Sequence, residues 1–223
     1  MADDSFIREV NEELRTERAK QIWRNFAPAL IGIAVLIVLG TAGWVGYQYW
    51  SGGKANASGD RFLAALDLAN AGKNDQALAA LTDLEKTGYG DYPMLARLRA
   101  AAVIAAKGDV AGAVKAFDEV AADSSVPKAL RDVARIRAGY LLVDSGSYDD
   151  VAKRVEDLST DGQPFRSSAR EALGLAAWKA GHFDNAAQLF KQIADDGLAQ
   201  PDIRQRANMM LELMRGDGVA MQG

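Results

Sequence analysis

With 223 residues, 26 basic and 30 acidic side chains and a net charge of −4, the chain lacks the clustered Lys and Arg that a phosphate backbone requires, so nucleic acid is not an expected partner. It has no cysteine and one histidine, which removes disulfides, zinc–thiolate sites and thiol nucleophiles. Abundant alanine, five prolines and few β-branched runs outside one apolar stretch point to an all-α chain, long enough after that stretch for a real core.

Residues 1–26 place Phe6, Ile7, Val10, Leu14 and Ile22 at spacings near three and four, with Glu9, Glu13 and Glu17 against Arg8, Arg15, Arg18 and Lys20. This predicts an amphipathic helix, read as a juxtamembrane segment or, more sharply, as a docking or degradation-signal element facing cytoplasmic partners.

Residues 27–50, APALIGIAVLIVLGTAGWVGYQYW, carry no charge. At 1.5 Å rise per residue they make about 36 Å of helix, enough for a hydrocarbon core of about 30 Å. Trp23 stands before the stretch, and Trp44, Tyr47, Tyr49 and Trp50 close its far end. Such rings prefer the headgroup boundary, so these five are candidate membrane anchors in a lipid bilayer. Five bases precede the span (Arg8, Arg15, Arg18, Lys20 and Arg24), and only Lys54 and Arg61 follow it closely. That bias keeps the N-terminus cytoplasmic and exports the rest. Ala55-Asn56-Ala57 has the small-x-small form of a cleavage site, yet the apolar run far exceeds a signal peptide's 7–15 residues, so an uncleaved anchor is expected.

Residues 51–59, SGGKANASG, read as a flexible linker. Beyond them the chain repeats itself. Four turns share a pattern opening at Gly72, Gly108, Gly146 and Gly181, which are 36, 38 and 35 residues apart. Eleven residues before each glycine stands an arginine: Arg61, Arg97, Arg135 and Arg170. Nine residues after each stand Leu81, Phe117, Val155 and Phe190. Each unit is predicted to be a helix ended by a left-handed glycine, then a second helix whose early Ala77, Ala113, Val151 or Ala186 permits close approach. A lone hairpin cannot bury its faces, so residues 60–215 are expected to stack as a four-hairpin α-solenoid. Pro93, Pro127, Pro164 and Pro201 punctuate the units. Pro201 to Arg215 is expected to cap the stack, with residues 216–223 a flexible tail.

These features resemble the tetratricopeptide repeat: Gly139 and Gly174 match its first-helix small residue, Tyr148 and Phe183 its turn aromatic, and Ala77, Ala113 and Ala186 its second-helix alanine. The first-helix tryptophan position holds arginine in all four units. The lead FIREVNEELRTERAKQIWRNF, the Gly-rich span and the immediate repeats are also similar to a narrower family. That family is the single-span ancillary subunit of the bacterial Sec translocon, with a tetratricopeptide-like periplasmic domain. The resemblance implies an inner-membrane protein with its C-terminal domain in the periplasm. Its implied partners are the translocon, a membrane-anchored periplasmic chaperone of the prolyl-isomerase type, and exported client chains.

The resemblance further implies that the first helices line a concave groove, with Phe62, Leu66, Leu98, Ile136, Tyr140, Val143, Glu171 and Trp178 toward it. Such a groove is mostly apolar and suits an extended or helical peptide rather than an acidic tail. The arginine ladder has two readings: stems lying over neighbouring helices with their heads in water, or a line of anion contacts. His182, alone and directly after a turn glycine, reads as a turn residue. The pairs Asp149-Asp150 and Asp195-Asp196 read as caps. No catalytic, metal or cofactor residues are assigned, and the expected function is an interaction scaffold rather than an enzyme. Scaffolds for cell-wall, division or outer-membrane assembly fit the same residues.

Overall fold

The computed structural model describes residues 3–216, with side chains described for Lys20 and from Trp23 onward. The side-chain pairings expected in the amphipathic lead and most of the C-terminal tail, residues 217–223, lie outside the described residues. Described residues form helices α1 (Asp3–Asn70), α2 (Asn74–Thr87), α3 (Tyr92–Ala106), α4 (Val110–Ala122), α5 (Lys128–Ser145), α6 (Tyr148–Val155), α7 (Arg166–Lys179), α8 (Phe183–Ala194) and α9 (Pro201–Gly216). A short 3-10 turn, Glu156–Ser159, follows α6. The chain divides into two compact units, one ending at Asn56 and one beginning at Ala57.

In the first unit every side chain from Pro28 to Trp50 is exposed. The most apolar part of α1 has a mean hydropathy of 2.2 with none of its residues buried. A core helix of a soluble fold would bury that face; this one is long and apolar enough to cross a membrane. All five anchor aromatics, Trp23, Trp44, Tyr47, Tyr49 and Trp50, are exposed. Lys54 Nζ lies 4.0 Å over the Trp50 ring, a cation–π contact at the polar end of the apolar run.

The expected linker at 51–59 is not a break, because α1 runs through it to Asn70. Ser58 is buried and its Oγ accepts the Tyr89 N–H at 2.9 Å. A Cβ at Gly59 would stand 2.7 Å from the Tyr92 hydroxyl oxygen. Tertiary contacts with Tyr89 in the loop before α3 and with Tyr92 at its start therefore override the flexibility that the glycines of this stretch suggest, and the second unit starts at Ala57 rather than at residue 60.

The second unit has its own logic. The end of α1 shares a core cluster with α2, and α3 pairs with α4, α5 with α6 and α7 with α8, and α9 follows. Small residues on the first helices (Ala65 and Ala101, then Gly139 and Gly174) let bulky residues of the second helices close in. Leu81, Phe117, Val155 and Phe190 are all buried, and so are Ala77, Ala113, Val151 and Ala186. A Cβ at Gly139 would sit 2.9 Å from Val155 Cγ1, and one at Gly174 3.0 Å from the Phe190 ring, so glycine there is a matter of space. Buried residues form four successive clusters along the stack, as expected when each repeat meets only its neighbours.

Gly72, Gly108 and Gly181 have φ of 74°, 88° and 77°, the left-handed turn predicted from the repeat. Gly146 does not: its φ is −109° and ψ −173°, which is extended. It is glycine because a Cβ would crowd Leu142, 3.0 Å from Cδ2 and 3.1 Å from the carbonyl oxygen. The following helix starts on a capping box, Ser147 with Asp150, which holds the Asp150 carboxyl below its ordinary range.

Candidate protein-interaction groove

The ladder arginines are structural clasps. Arg61 Nη2 donates to Asp83 Oδ2 at 2.6 Å and to Thr87 Oγ1 at 2.8 Å, both in the last turns of α2. Arg97 Nη1 donates at 2.5 Å to Asp123, which ends α4. Arg135 holds both carboxylate oxygens of Asp157 and donates from Nε to the Arg154 carbonyl at 2.7 Å. Each first helix thus places a cation at the C-terminal end of its own second helix, where unsatisfied carbonyls favour positive charge. Arg170 breaks the pattern: buried, it donates to the Ser159 carbonyl and to Asp161, in the segment before α7. The end of α8 is clasped instead by Arg166, which grips Asp196 through two bonds of 2.7 and 2.9 Å. These heads are engaged by carboxylates and carbonyls of the protein itself.

The clasps predict an acid response. Asp123 accepts from the Ser125 hydroxyl and N–H as well as from Arg97, which lowers its pKa from 3.8 to about 2. A carboxyl depressed by folding stabilises above its unfolded value and loses that contribution as pH falls through its folded value. Asp123→Asn is expected to lower the urea midpoint at pH 7, with the gap from the parent chain closing between about pH 4 and pH 2. Urea titrations at both pH values check this.

Helix α5 approaches α7, and α7 approaches α9. Between these three opens a hollow of about 910 Å³, lined mainly by apolar groups including Ile136, Phe165, Leu175, Met209 and Leu213. Glu171 stands in its wall, 3% exposed. Its carboxylate accepts the Tyr140 hydroxyl at 2.5 Å and two Arg206 donors, Nε at 2.5 Å and Nη2 at 2.9 Å. Arg206 Nη1 also reaches Asp202 at 3.2 Å. Burial, with Glu171 beside it, raises the Tyr140 pKa far above that of an ordinary phenol, so its hydroxyl stays a donor. The bond to Glu171 likewise raises the Arg206 pKa.

Of the predicted groove residues, Ile136, Tyr140 and Glu171 come together here. Val143 and Trp178 do not line the hollow: half-buried, they pack against core clusters at the far ends of α5 and α7. Phe62 and Leu98 likewise pack on clusters nearer the start of the stack, Phe62 with its ring 6.1 Å from Tyr92. Leu66 is partly exposed and away from the hollow. His182 precedes α8 and meets Tyr148 edge-on at 5.6 Å.

Sequence reasoning missed the contribution of α9, read there only as a cap. A signal existed, since Arg206 follows Arg170 by 36 residues, within the spacing of the ladder itself. With no further hairpin helix among the described residues to clasp, its guanidinium turns to Glu171.

Stacked helical hairpins, each meeting only its neighbours, define an α-solenoid. Residues 20–214 match the model of the tetratricopeptide repeat-like domain, and the chain belongs to that family. No curated protein matches the chain. Tetratricopeptide-like domains mediate protein–protein interaction, and that is the class to which this protein belongs.

Proposed function

We propose that the protein is a membrane-anchored scaffold whose tetratricopeptide-like domain works outside the cytoplasm by contact rather than by catalysis. In this reading it is an ancillary subunit of the bacterial Sec translocon. It links the channel to a membrane-anchored periplasmic chaperone of the prolyl-isomerase type and receives client chains as they emerge. The hollow between α5, α7 and α9 carries the reading, because Met209 and Leu213 stand exposed at it, in reach of an incoming side chain. The exposed apolar run of α1 supports the anchor, and the excess of Arg and Lys before that run supports the orientation.

In-cell crosslinking from a photoreactive residue at Met209 tests it, with Trp178 as the half-buried control. Adducts to translocon and chaperone subunits are expected from Met209 and not from Trp178, and replacing the native span should reduce them. Adducts only to cell-wall, division or outer-membrane assembly proteins would overturn the translocon assignment. A C-terminal reporter facing the cytoplasm would overturn the topology.

A further inference from the structure

Most arginines of the hairpin unit end on a carboxylate or a backbone carbonyl. Arg137 does not. It is exposed, lines the hollow, and makes no hydrogen bond or ion pair among the described residues. Two residues after the ladder arginine of α5, it has its register equivalent in Arg99, two residues after the ladder arginine of α3. Arg99 is nearly as short of partners. Its Nη2 is 3.3 Å from the Asn70 side-chain oxygen, and its Nε is buried with no acceptor. Arg131 of α5 has the same unanswered Nε; neither it nor Arg99 lines the hollow, and Arg99 is set apart by sharing the register of Arg137. Side chains of α3 and α5 share one core cluster, so Arg99 and Arg137 mark successive positions on neighbouring hairpins.

A buried guanidinium donor without an acceptor is costly, and its planar fork matches a carboxylate. Part of the deficit is unexpected, because acidic side chains outnumber basic ones 24 to 21 after the apolar span. The carboxylates that line the hollow are already occupied, Glu171 by Arg206 and Tyr140, and Asp202 by Arg206. Those two acids are balanced by two bases on the lining, Arg206 and Arg137, and only Arg137 is left to answer an incoming acid. The hollow beside Arg137 is apolar and edged by methionines, whose flexible chains accommodate varied shapes.

Resting on the scaffold reading above, we propose that Arg137 and Arg99 receive carboxylates of an acidic amphipathic helical segment of a partner protein, whose apolar side chains enter the hollow between α5, α7 and α9. The proposal departs from the reading of the apolar groove positions alone, which favoured an extended or helical peptide over an acidic tail.

The test uses the full chain in nanodiscs of zwitterionic lipid. The probes are two fluorescent helical peptides with Leu and Met on one face, flanked by Glu in one and by Gln in the other. Anisotropy titrations are expected to show the Glu peptide bound about tenfold more tightly, an advantage that shrinks with added salt. Arg137→Gln, at an exposed site that leaves folding intact, should remove most of the advantage without changing the Gln peptide's affinity. Arg99→Gln, checked by thermal melting, should act in the same direction, and Leu213→Asp should weaken both peptides. Equal affinities for the two peptides overturn the proposal, as does an Arg137→Gln effect of equal size on both. If equal affinities are lost together in Leu213→Asp, the scaffold reading stands and the acid preference falls. If neither peptide binds, the proposal falls, and the in-cell crosslinks from Met209 judge the scaffold separately. Slower hydrogen exchange in α5 in discs containing phosphatidylglycerol, reversed by Arg137→Gln, would assign the arginines to lipid headgroups and equally overturn it.

Discussion

Replacing Phe190 with Ala is expected to lower the stability of the hairpin domain by about 4 kcal/mol, the middle of the range for truncating a buried ring. Phe190 is fully buried on α8, and its ring fills the space that Gly174 leaves on α7. It joins the cluster that fastens α8 to α9, so its loss also loosens the helix that completes the hollow. Thermal melts followed by circular dichroism should show a drop of roughly 8–16 °C for a domain of this size. A second substitution separates packing from a general loss of fold. Gly174→Ala gains about 1 kcal/mol of helix propensity, but in the parent chain its Cβ meets the ring at 3.0 Å. In the Phe190→Ala background that obstruction is gone, so Gly174→Ala should stabilise there more than in the parent. Equal effects in both backgrounds would contradict the fit described here.

Glu171→Ala is the second large change, expected to cost about 2 kcal/mol and to alter the hollow at once. Glu171 is buried and is the shared acceptor of Tyr140 and Arg206, so truncation leaves the Tyr140 hydroxyl without its partner. The cost stays below that of breaking a fully buried ion pair, because the Arg206 side chain is 47% exposed and water can replace part of what it loses. Denaturant titration measures the stability. Tyr140 reports the site: its hydroxyl resists ionisation in the parent, and in Glu171→Ala the phenolate absorbance should appear at lower pH because a neighbouring negative charge has gone. An unchanged tyrosine titration would show that the carboxylate does not govern the Tyr140 environment.

How much of this was legible depended on what each residue answers to. The repeat was legible because a hairpin must place a small residue opposite a large one at fixed intervals. Leu81, Phe117, Val155 and Phe190 announce that interval and are all buried. The phase of the arginine ladder was legible too, but its partners were not. Asp83 and Asp123 lie on the second helices at 22 and 26 residues' separation, and only the packed hairpin brings them within reach. Gly146 looked like its three counterparts, yet crowding by Leu142 rather than a left-handed turn requires it. At 51–59 local composition argued for a break, and Ser58 and Gly59 are instead held by Tyr89 and Tyr92, just before and at the start of α3.

The sequence by itself determined the all-helical class, the apolar run of α1, the hairpin period and the faces that meet inside each hairpin. All of these follow from spacing along the chain, because a helix turns every 3.6 residues and an apolar run needs no partner to be recognised. The tertiary structure alone decided that Tyr140, Glu171 and Arg206 share one carboxylate, that Trp178 and Val143 pack on the core, and which arginines are left unanswered. Those outcomes depend on distances between residues some 30 to 70 positions apart, which are set by how neighbouring hairpins rotate against each other and are written in no local interval.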